Sequence, residues 1–151
     1  MRTASSREPD VVTSALASAA LRIECGREGF ARAREFTRET LRRWSLNHRG
    51  DDAAVVVTEL ATNAARHAVP CAPAGEADVW LGLALGAAHL VLTVSDPCDS
   101  RPVSAPTAGS DLLEHGRGLC IIDALAEEWG WAPRPPVGKT VWAKLSTCPP
   151  H

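Results

Sequence analysis

The chain has 151 residues, of which 45% are hydrophobic. That suits one domain able to bury its own core and leaves little room for a second. Its 16 Lys and Arg against 18 Asp and Glu give a net charge of −2, and no window of about twenty residues is uniformly apolar, so neither a polybasic nucleic-acid surface nor a membrane span is written in it.

Residues 1–14 are polar, carry Pro9 and show no period, which predicts a flexible leader. The opening MRTASSREPDVV lacks the apolar run of a secretory signal, so a cytoplasmic protein is expected. In AALRIEC, Leu21, Ile23 and Cys25 alternate with Arg22 and Glu24, predicting a half-exposed strand that ends at Gly26. From Glu28 to Leu46, the residues Phe30, Ala33, Phe36, Leu41 and Trp44 share a helical stripe, and the six Arg from Arg27 to Arg43 fall mostly off it. Asp51 or Asp52 is expected to cap a second helix over 53–68, stopped by Pro70. VWLGLAL and LVLTVSD, joined by a turn at Gly86 to His89, predict an antiparallel hairpin whose second strand delivers Asp96. Residues 97–115 are rich in Pro, Ser, Asp and Gly and are expected to form a lid-like loop. Gly116 and Gly118 open a predicted helix to about Glu128, and WGWA and KTVWAKL close the domain around a PRPPVG turn. The domain therefore runs over 15–146, with 147–151 as a short tail. Hairpin-linked strands with helices able to cover one face predict an α+β two-layer sandwich.

Chemistry concentrates in VVVTELATNAARHA, where Glu59, Asn63 and His67 stand at i, i+4 and i+8 on one helical face. A carboxamide oxygen can ligate a hard cation such as Mg²⁺ while a carboxylate one turn away positions or deprotonates a nucleophile. The same spacing also occurs on ordinary solvated helix faces, so the company it keeps matters. A carboxylate leaves a strand at Asp96, a long polar loop follows, and Gly116, Arg117 and Gly118 then stand at a helix start. Backbone amides and the helix dipole there suit an anion such as phosphate, with Arg117 as an added cation.

TELATNAARHA, VSD, GRGL and VGKTVW, in this order and spacing, resemble the N box, G1 box, G2 box and closing strand of the Bergerat-fold, histidine-kinase-like ATPases. More narrowly, the chain is similar to small actinobacterial ATP-binding regulators akin to anti-sigma-factor serine kinases, and the likeness covers about Ala20 to Leu145. The resemblance implies a mixed, mostly antiparallel sheet with helices on one face. It also implies ATP and Mg²⁺, with Asn63 as the metal ligand, Glu59 as the acid that draws the proton from a water or serine hydroxyl, and Asp96 as acceptor for the adenine amino group. Gly116 and Gly118 match the phosphate-box glycines, 97–115 the ATP lid, and Thr140 a base-contacting threonine of the closing strand; Arg66 and His67 fall near the phosphates. The partners implied are a sigma factor or its antagonist protein, with a homodimer possible and no direct nucleic acid or membrane.

Two departures stand out. The wider superfamily has D-x-G-x-G at the G1 box, where here Asp96 is followed by Pro97, Cys98, Asp99 and Ser100, and Gly138 is separated from Thr140 by Lys139. No P-loop lysine is present, so phosphate handling falls to Asn63 through Mg²⁺, backbone amides and Arg117. The five cysteines, Cys25, Cys71, Cys98, Cys120 and Cys148, are at least 22 positions apart and form no zinc-like spacing with the histidines. They read as scattered reduced thiols. A non-catalytic ATP-binding module that acts by partner sequestration is the alternative to a kinase.

Overall fold

A computed structural model of the chain describes residues 15–24, 26–65, 79–96, 120–133 and 138–148. The leader, the lid loop, the residues after Ala65 up to Asp78 and the Gly116–Gly118 segment lie outside the described residues.

The strand Ala17–Ile23 (β1) is followed by helix Arg27–Arg43 (α1). The apolar stripe of α1 turns Ala33, Thr37, Thr40 and Leu41 inward and leaves Arg42 and Arg43 in water. At its start Gly29 passes so close to the Glu24 carbonyl that any Cβ would collide with it. Its end is a Schellman arrangement: Leu46 N–H donates to Leu41 O (2.7 Å), Ser45 N–H donates to Arg42 O (3.1 Å), and Ser45 takes the left-handed conformation at φ 61°. Leu41 and Leu46 both belong to the core.

A 3₁₀ turn at Asn47–Arg49 leads into helix Gly50–Asn63 (α2). Neither Asp51 nor Asp52 caps it. Arg49 occupies the N-cap without a side-chain cap bond, and both aspartates fall inside the first turn, where their charge favours the positive end of the helix dipole. The start of α2 is fastened to the far end of the chain, because Arg49 Nε donates to Ser146 O (2.8 Å) and His48 Nε2 donates to Thr147 O (2.8 Å). Ala53, Val56, Val57, Leu60 and Ala61 form its buried stripe.

The hairpin pairs Val79–Leu85 (β2) with His89–Asp96 (β3), and Glu128–Pro133 (β4) pairs with Lys139–Ser146 (β5). Together with β1 they form one five-stranded sheet in the order β1-β2-β3-β5-β4, every neighbouring pair antiparallel. The helical residues 120–125 precede β4. That helix stops before Glu128, the end expected from sequence, because Ala126 N–H closes its last turn on Ile122 O and Glu127 N–H already donates to Lys144 O of β5 (both 2.8 Å).

Strand alternation sorts the sheet into two faces. Leu81, Leu83, Leu90, Leu92, Val94, Val141, Ala143 and Leu145 pack with Leu41, Val56 and Leu60 on the helix-covered side. Ala84, Val91 and Trp142 form a separate cluster on the other side. Trp142 lies opposite Thr93 of β3 and Gly130 of β4, which leaves room for the indole over β4. The result is an α+β fold with an open antiparallel sheet, as the sequence predicts.

Candidate functional site

Glu59 and Asn63 project from α2 one turn apart, and both are half-buried. On a helical wheel they flank the buried stripe on its Val56 and Leu60 side, so each emerges at the boundary between core and solvent. The backbone keeps right-handed helical angles at Ala64 (φ −62°, ψ −43°) and widens into a π turn at 64–65. Such turns often accompany functional positions in helices. Arg66 and His67 lie outside the described residues.

Because α2 is tied to Ser146 at its start and packs against β3, its C-terminal half is carried away from the end of the sheet where His89 pairs with Ser146. The opposite end of β3 and β5 is where Asp96 pairs with Lys139. Asp96 shares the helix-covered face with Leu90, Leu92 and Val94, its alternate neighbours on β3. The fold thus sets the Glu59 and Asn63 turn and Asp96 on adjoining elements of one side of the sheet.

Asp96 is 1% exposed and Lys139 2% exposed. The Lys139 ammonium stands 3.2 Å from Oδ1 and 3.2 Å from Oδ2 of Asp96, a bridge that straddles the carboxylate. Burial of either charge alone is costly, so each is the condition for the other. Lys139 is the buried partner of Asp96 that sequence reasoning missed, having entered there only as an interruption between Gly138 and Thr140. Its phase was nevertheless readable, because Lys139 stands two, four and six places before Val141, Ala143 and Leu145, all on the core face.

Thr140 is placed elsewhere. Its hydroxyl meets Ser95 Oγ at 2.7 Å, and the Ser95 and Thr140 pair occupies the face opposite Asp96. Among the sequence-predicted residues, the structure brings Glu59, Asn63 and Asp96 to one side and leaves Thr140 off it; Gly116, Arg117 and Gly118 lie outside the described residues. A separate polar cleft of about 340 Å³ between β1 and α1, lined by Leu21, Arg22, Glu24, Glu28, Gly29 and Arg32, contains none of them.

The donor set suits an adenine nucleotide with magnesium. A buried carboxylate can accept from an exocyclic amine, and a half-exposed carboxamide and carboxylate supply the oxygen ligands that a hard cation prefers. Among the described residues no helix is long and apolar enough to cross a membrane. No curated protein matches the chain. A family profile does match, that of the histidine kinase-like ATPase domain, over residues 27–145, a span that includes α1, α2 and strands β2 to β5 almost to the end of β5. The chain belongs to the histidine kinase-like ATPase domain family, and its domain is an ATP-binding one.

Proposed function

We propose that the protein is an ATP-dependent serine protein kinase of the anti-sigma-factor type, working in the cytoplasm. It transfers the γ-phosphate of ATP to a serine of a small antagonist protein and thereby regulates a sigma factor. The observation that carries this reading is the pair Glu59 and Asn63, held half-exposed one turn apart on a helix whose adjoining residues are core.

Phosphoryl transfer asks a protein mainly for positioning and charge stabilisation, which a domain of this size can supply. Asn63 would hold Mg²⁺ through its amide oxygen, and the bound cation would supply positive charge to the nucleotide phosphates. Glu59 accepts the proton of the attacking serine hydroxyl as that oxygen bonds to the γ-phosphorus and ADP departs. Asp96 accepts from the adenine amino group, Gly116 and Gly118 give backbone amides to the phosphates, and Arg117 adds a cation there. The test mixes the protein with labelled ATP and candidate antagonist proteins. Transfer is expected from the wild type and lost in Glu59→Ala and Asn63→Ala; full activity in both variants sinks the mechanism.

A second reading is an ATP-binding module that sequesters its partner without catalysis. What favours it is the base end of the site, where Asp96 is already engaged by Lys139 and is followed by Pro97 in place of a flexible glycine segment. Tight Mg²⁺-dependent ATP binding without transfer to any antagonist protein selects this reading, and no ATP binding removes both.

A further inference from the structure

We propose that Arg49 is a positioning residue for the magnesium end of the site, setting the tilt of α2 and so the place where Asn63 stands. The proposal rests on the reading of Asn63 as the magnesium ligand given above. Arg49 occupies the N-cap of α2, and Asn63 ends the same helix. On helical grounds a cation is the wrong residue there, because N-caps favour Ser, Thr, Asp and Asn and the helix dipole already places positive charge at that end. Arg49 serves instead as a bridge. Its Nε donates to Ser146 O at the end of β5 (2.8 Å), its Nη1 donates to Asp52 Oδ2 in the first turn of α2 (3.1 Å), and its side chain is 16% exposed. A planar guanidinium that holds two partners at once fixes direction as well as distance.

The packing of α2 leaves that direction to be fixed. Its buried stripe is built of Ala53, Ala54, Val56, Val57, Leu60 and Ala61, short side chains apart from Leu60, and apolar burial holds a helix on a sheet without favouring one direction. Arg49 and Asn63 are 14 positions apart, so at about 1.5 Å per residue the helix is a lever about 21 Å long. A tilt of about 3° at its start carries Asn63 through about 1 Å. Changing a residue that orients a metal ligand costs about 10- to 100-fold in metal affinity, and a shift of about 1 Å costs about a hundredfold in rate. Standing at the opposite end of the helix from Asn63, Arg49 acts through α2 and not by contact with the metal.

The measurement is calorimetric titration of ATP into the full chain, once with Mg²⁺ and once with a chelator in its place, for the wild type and for Arg49→Met and Arg49→Lys. The readout is the gain in ATP affinity that Mg²⁺ gives. Arg49→Met, which has neither donor, is expected to lose about tenfold or more of that gain, while its ATP affinity in chelator stays within about twofold of the wild type. Arg49→Lys is expected to lose less, because an ammonium can still donate to Ser146 O but lacks the planar fork. Urea midpoints taken on the same samples show that each variant is folded at the titration temperature. A full Mg²⁺ gain in folded Arg49→Met overturns the proposal, and so does an equal loss with and without Mg²⁺, the signature of a site loosened throughout. No Mg²⁺ gain in the wild type overturns the reading of Asn63 and the proposal together. Should Arg49→Met fail to fold, Arg49→Lys carries the test, and a gain equal to that of the wild type then overturns the proposal.

Discussion

A lysine 2% exposed in a small domain survives there because a carboxylate straddled by its ammonium shares the burial. Substituting Asp96 therefore takes the balancing carboxylate away from a buried cation and, on the proposed function, removes a base contact as well. Asp96→Asn should cost about 3–5 kcal/mol of stability, whereas the double change Asp96→Leu with Lys139→Met should be neutral or stabilising by about 1–4 kcal/mol. Urea midpoints of the two variants against the wild type check this, and equal losses in both contradict it. ATP affinity measured in Asp96→Asn alone conflates lost recognition with lost fold, so stability must be read beside it. Thr140 makes the opposite case. Its hydroxyl bonds Ser95 on the far face, so Thr140→Ala should leave ATP affinity unchanged and cost about 1 kcal/mol of stability for the lost hydroxyl pair. A large drop in affinity in a titration of this variant would contradict the geometry.

The elements were legible wherever their signal is local. Two apolar runs joined by a short turn located the hairpin of β2 and β3 to within a residue, and the 3.6-residue stripe located α1, because each pattern is set by neighbours along the chain. What was not legible is what depends on partners distant in sequence. Helix 120–125 ends early because Glu127 is claimed by Lys144, and Lys139 is buried because Asp96, 43 residues earlier, stands across from it. A lysine is read as a surface residue by default, and only register makes it a core one. The end of α1 holds a smaller surprise of the same sort, since the left-handed position of its Schellman turn is Ser45 (φ 61°), a residue that pays for the absence of glycine. Ser45→Gly should stabilise the domain by about 1 kcal/mol, the approximate cost of a left-handed angle for a residue with a Cβ. A rise in the thermal midpoint checks it, and a fall means that the serine side chain contributes more than its backbone costs.

At the scale of the molecule the sheet order matters more than any one strand. β5, the last described strand in sequence, lies between β3 and β4, and β4 pairs with no described strand other than β5. A chain truncated after Gly138 should show little strand signal by circular dichroism and no cooperative unfolding, because β3 loses one neighbour and β4 loses its only described one. A native-like spectrum from that fragment would show that β1, β2 and β3 hold with the helices on their own. The same order has a consequence for synthesis. As the polypeptide leaves the ribosome, α2 and β1 to β4 emerge before the strand that stitches the sheet together, and Asp96 emerges long before its countercharge. The nascent protein waits with two open strand edges and an unbalanced carboxylate until Lys139–Ser146 is released. The buried ion pair and the completed sheet then form together.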